Sequence, residues 1–112
     1  MPSYRLVLTV GEVRLPLPFD DVLPTVANIV ATYATVEHRD LAIRQGQPHI
    51  VIRFTGTSDA HARSVCDSAS LDIDTLIEVR EYHTEVLHRG RGRIIGHGQV
   101  QRHDSFDDVS RS

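Results

Sequence analysis

The chain has 112 residues, 40% of them hydrophobic and 24% charged, with a formal net charge of −3. That length suits one domain and is short for two, and the composition excludes a chain that is disordered throughout. The negative balance argues against general polyanion binding, and a single cysteine, Cys66, excludes an internal disulfide.

A lone cysteine fits a reducing compartment. The opening residues, MPSYRLVLTV, lack the basic start and long apolar run of a signal peptide, and no apolar stretch is long enough to span a bilayer. The expectation is a cytoplasmic protein with no membrane partner. All 12 basic residues are arginine. Arginine codons can be GC-rich and lysine codons are not, so a high-GC bacterium or its phage is the expected source.

In chain order, Tyr4, Leu6, Leu8 and Val10 alternate with Arg5, Val7 and Thr9, the pattern of a half-buried strand. Gly11-Glu12 then reads as a tight turn, and Val13, Leu15, Leu17 and Phe19 as a returning edge strand carrying Pro16 and Pro18. Asp20-Asp21 marks a helix start, with Pro24 in its first turn. Val22, Val26, Ile29, Tyr33 and Val36 carry the helical repeat onward.

Leu41 to Arg44 reads as a short strand, Gln45-Gly46-Gln47-Pro48 as a turn, and His49 to Thr55 as the next strand. Thr57 or Ser58 caps a second helix, whose apolar positions are Ala62, Val65, Cys66 and Ala69. Leu71 to Asp74 is a connector. Thr75 to Leu87 is a last long strand, rich in β-branched residues. After His88 the composition turns to glycine and arginine.

With the first hairpin taken as one element, the order is β-α-β-β-α-β. That is the ferredoxin-like plan: an antiparallel sheet with two helices on one face. The expected division is a single α+β domain over 1–88 and a Gly/Arg-rich polar arm over 89–112.

Alternation with Leu6, Leu41, Ile43, Ile50, Ile52, Ile77 and Val79 turned to the helices leaves an uncovered face. That face is expected to hold Arg5, Val7, Thr9, Arg44, Val51, Arg53, Thr55, Glu78, Arg80 and Tyr82. The candidate binding set is Arg5, Arg44, Arg53, Arg80 and Tyr82, with Arg89, Arg91 and Arg93 of the arm. Guanidinium forks match phosphate geometry, and a basic arm can follow a nucleic-acid backbone. The same face, with Val7 and Val51 on it, can instead meet another sheet.

Glu81, His83 and Glu85 share one face of the last strand. They are spaced about 7 Å apart in steps of two, too wide for one metal without other ligands. The seven histidines, His38, His49, His61, His83, His88, His97 and His103, show no metal-binding spacing. Neither a Walker loop nor a G-x-S-x-G elbow is present. No catalytic residue, metal or cofactor is expected.

The reading is a non-enzymatic module that self-associates and docks on another macromolecule, an accessory protein of a bacterium or phage. Two alternatives stand beside it. One is a nucleic-acid or phosphate binder using the same arginines. The other is a dimeric α+β-barrel enzyme with His83 or Glu81 as base in a cleft between sheet and helices.

Overall fold

A computed structural model describes residues 1–14 and 16–100. The elements are β1 (Ser3–Val13), α1 (Phe19–Ala31), β2 (Thr35–Arg44), β3 (Gln47–Thr55), α2 (Asp59–Asp74), β4 (Ile77–His88) and β5 (Arg91–Gly98). The five strands form one antiparallel sheet in the order β2-β3-β1-β4-β5, so β2 and β5 are its edges. The fold is α+β, with both helices packed on one face of the sheet.

The core lies between that face and the helices. Tyr4, Leu6, Leu8 and Val10 of β1 and Ile50, Ile52 and Phe54 of β3 meet Val22, Val26, Ala27 and Val30 of α1. Ala62, Val65, Cys66, Ala69 and Ile73 of α2 complete it. Small side chains on α2 let the helix approach closely. Ser58 caps α2 as expected, its hydroxyl accepting the His61 N–H at 3.0 Å. The helix runs on through residues 71–74, which were expected to be a connector. Asp74 then receives the Val79 N–H at 2.9 Å and an ion pair from Arg14 at 3.1 Å, joining the helix end to the chain after β1 and to β4.

The expected N-terminal hairpin does not form. Gly11 continues β1 and does not adopt a positive φ. The Glu78 carboxylate lies over it, in the place a β-carbon would take. Pro16 and Pro18, which have no N–H to donate, stand where the chain has left the sheet, and Pro18 occupies the N-cap position of α1. Phe19 opens the helix, so it belongs to no strand. The helix ends at Ala31; Tyr33 lies beyond it and Val36 belongs to β2. Leu15 and residues 101–112 of the expected arm lie outside the described residues.

The segment after His88 departs most from expectation. Arg89 (φ 54°) and Gly90 (φ 80°) form a tight two-residue turn, and Arg91–Gly98 returns along β4 as β5. Its glycines make room for side chains. A β-carbon at Gly98 would strike the Tyr82 ring, and one at Gly92 would strike Arg5 and Glu85. The run that suggested a loose arm is, as far as Gly98, an edge strand shaped to its neighbours. Gln45 and Gly46, also at positive φ, make the equivalent turn between β2 and β3.

Candidate functional site

The uncovered sheet face is set by the pairing of β1 with β4. Thr9 lies opposite Glu81, but Val10 lies opposite Val79, so Arg80 is an extra residue on β4. This bulge shifts the phase of everything that follows. Tyr82 pairs with Leu8 and Thr84 with Leu6, on the helix side, while Glu81, His83 and Glu85 pair with Thr9, Val7 and Arg5 on the uncovered side.

Tyr82 is therefore removed from the expected binding face. Its hydroxyl donates to Asp67 of α2 at 2.9 Å, and burial, followed by that hydrogen bond, raises its pKa. The cleft between sheet and helices that an enzyme using His83 or Glu81 would need does not hold those residues, since both point away from the helices. Leu41 and Ile43 do face the helix side as expected, but β2 reaches past the helices and leaves them 36% and 67% exposed.

The uncovered face centres on Glu85. Arg5 Nε donates to one carboxylate oxygen at 2.9 Å, Arg5 Nη2 lies 2.7 Å from that same oxygen as an ion pair, and His83 Nε2 sits 2.7 Å from the other. Burial works to raise the Glu85 carboxyl; the His83 hydrogen bond and the Arg5 charge outweigh it and hold the pKa below its ordinary 4.5. Arg53 pairs with Glu37 at 3.2 Å and Arg80 with Glu78 at 3.8 Å. Three of the four arginines expected on this face are thus matched by a carboxylate.

Arg5, Arg44 and Arg53 do come together. With His38, Asp40, Ala42, Val51, Leu87 and Gly90 they line a shallow cradle of about 190 Å³. Arg80 lies outside it. Arg91 and Arg93 are exposed and pair with His88 and Val86, which places them in phase with the helix side of the sheet. Arg89 stands in the turn. The arm arginines and the cradle arginines consequently do not form one surface.

Two further features were not read from the sequence. His83 and His97 face each other across β4 and β5, beside a 390 Å³ recess with Glu81, Tyr82, Gly98 and Gln99. An apolar groove of about 550 Å³ lies where α1 begins over the sheet, lined among others by Val13, Phe19, Leu41, Ile43 and Ile77. The sequence reads Phe19 into an edge strand and Ile43 onto the helix-facing side of the sheet, and neither reading discloses that both side chains are exposed, Phe19 by 74%. No group of three metal-binding side chains occurs among the described residues. Cys66 is buried, which pushes its thiol up to about 12 and leaves it a core residue. Among the described residues, no helix is long and apolar enough to cross a membrane.

No protein-family model matches the chain, and no curated protein matches it in sequence. Its structure resembles that of a phage SAM lyase in the apo state. The TM-score is 0.55, with 90% of each chain covered and 12% sequence identity. The likeness is one of fold.

The ionised Glu85 contributes stability above about pH 4.5, and that contribution is lost as pH falls through its lowered folded value. Glu85→Gln should cost about 1–2 kcal/mol at pH 7 and flatten the acid limb of the unfolding curve. Denaturant melts of both proteins between pH 3 and pH 7 measure this. Equal acid sensitivity in the two would contradict the assignment.

Proposed function

We propose that the chain is a small accessory protein, of the kind a phage encodes, which self-associates and docks on a protein partner through its uncovered sheet face. One observation carries the choice of a protein partner. The cradle's Arg5 and Arg53 are neutralised by Glu85 and Glu37, and Asp40 lines the same cradle as Arg44, so most of the arginine on the face is matched by carboxylate. A phosphate backbone calls for net positive charge, whereas a balanced face with apolar Val51 and Ala42 within it suits a mixed-charge protein surface. The fold likeness to a phage protein supports the source. We read β1 to β4 with the two helices as the ferredoxin-like plan, with β5 added at one edge. The support is that β1 lies between β3 and β4.

The fold likeness also favours a second reading, an enzyme acting on S-adenosylmethionine as the neighbour's name describes. In it the paired Glu85 and His83, or the histidines at the β4–β5 edge, would contact the substrate.

Light scattering should give a molar mass above the 12.5 kDa of one chain at micromolar concentration. Single-stranded DNA or RNA should cause no mobility shift at low salt. A monomer at every concentration removes self-association, and a salt-sensitive shift restores the nucleic-acid reading. For the second reading, incubation with S-adenosylmethionine followed by mass spectrometry decides: loss of the substrate above the spontaneous rate establishes it, and an unchanged level removes it.

A further inference from the structure

We infer that two copies of this chain join edge to edge through β2, antiparallel about a two-fold axis at Ala42. The inference rests on the reading that the chain self-associates, and it names the surface.

β2 is an edge strand of ten residues, and an unpaired edge is a template for another strand. Its free side can be read from the β2–β3 turn. A two-residue turn at Gln45-Gly46 makes Arg44 and Gln47 a hydrogen-bonded pair, so Ala42 and Asp40 also point their backbone groups toward β3. Arg39, Leu41 and Ile43 then direct theirs to the free edge. Pro48, which has no N–H, fits this phase, since it lies opposite Ile43 in a pair that exchanges no hydrogen bonds. The Leu41 N–H is satisfied by the neighbouring Asp40 carboxylate at 2.9 Å, as an edge amide would be.

Antiparallel pairing centred on Ala42 uses these outward groups, with the Leu41 N–H exchanging the Asp40 carboxylate for the Ile43 carbonyl of the second copy and so releasing Asp40. Leu41 comes opposite Ile43 of the second copy, and Ile43 opposite its Leu41, as hydrogen-bonded pairs whose side chains share the helix side. Both residues are now exposed. On the cradle side Asp40 comes opposite Arg44 of the second copy, twice by symmetry. Arg44 has no carboxylate within ion-pairing distance among the described residues, and Asp40 is held only by its neighbour's amide. Ala42, small enough for the close approach of a non-hydrogen-bonded pair, meets its own counterpart. Neighbouring registers are worse: centring on Asp40 sets two carboxylates face to face, and centring on Leu41 leaves Asp40 opposite Ala42. At the other edge β5 carries Gly92, Gly96 and Gly98 and a break in register after Thr84, features that blunt an edge.

The test is Ala42→Cys, with the single reversals Asp40→Arg and Arg44→Asp and their combination. At the axis the α-carbons would approach to about 4.5 Å, within disulfide range. Cys66 is buried and should not compete. Mild oxidation should convert Ala42→Cys to a covalent dimer, while Arg39→Cys stays largely uncrosslinked. Each reversal should weaken the dimer tenfold or more in light scattering, and the double reversal should restore it, with unchanged circular dichroism throughout. A wild-type monomer overturns this inference together with the reading beneath it. A wild-type oligomer that resists crosslinking at residue 42 and ignores the reversals overturns this inference alone.

Discussion

One extra residue, Arg80, decides what this sheet presents. β1 is paired on both sides, so its alternation is locked: Tyr4, Leu6, Leu8 and Val10 are buried under the helices. β4 must match that alternation, and it does so in two stretches of opposite phase joined at the bulge. Before Arg80, Ile77 and Val79 face the core. After it, Tyr82, Thr84 and Val86 do, and Glu81, His83 and Glu85 are turned outward. Without the bulge the two carboxylates and the histidine would be driven into an apolar core, at a cost of several kcal/mol for each unpaired charge.

The same phase fixes the chemistry of each face. Beneath the helices, Tyr82 reaches α2 and bonds Asp67, and Gly98 leaves space for its ring. On the other side Glu85 gathers Arg5 and His83, and Gly92 on β5 stays clear of them. β5 is thereby tied to β4 through the side chains it makes room for as well as through its ladder. The arginines that gave the sequence its basic look are divided between the two faces, and those of the cradle are largely matched by acids.

Where one pattern dominated, the chain was legible. Alternation in β1 and β3, the Gln45-Gly46 turn, the Ser58 cap and the repeat Ala62, Val65, Cys66, Ala69 each correspond to an observed element. The failures have physical causes. Gly11 and the glycines of β5 signal turns by composition, yet Gly11, Gly92 and Gly98 lie beneath neighbouring side chains, which a single strand's sequence cannot display. Glu78, Arg80 and Glu81 are all charged, so nothing in their order betrays the bulge. The exposure of Leu41 and Ile43 depends on how far the helices extend over β2, a tertiary quantity. Alternation places Arg5, Arg44 and Arg53 on one face, where they line the same cradle; Glu85, which organises that face, is marked in the sequence only by its spacing.

The phase of β4 is tested most directly by a double-mutant cycle between Tyr82→Phe and Asp67→Ala, read as unfolding free energy. The bulge places the Tyr82 hydroxyl on α2, so the two substitutions should be non-additive by about 0.5–1.5 kcal/mol. Additive effects would put Tyr82 on the opposite face, and the surface described for this protein would then be the wrong one.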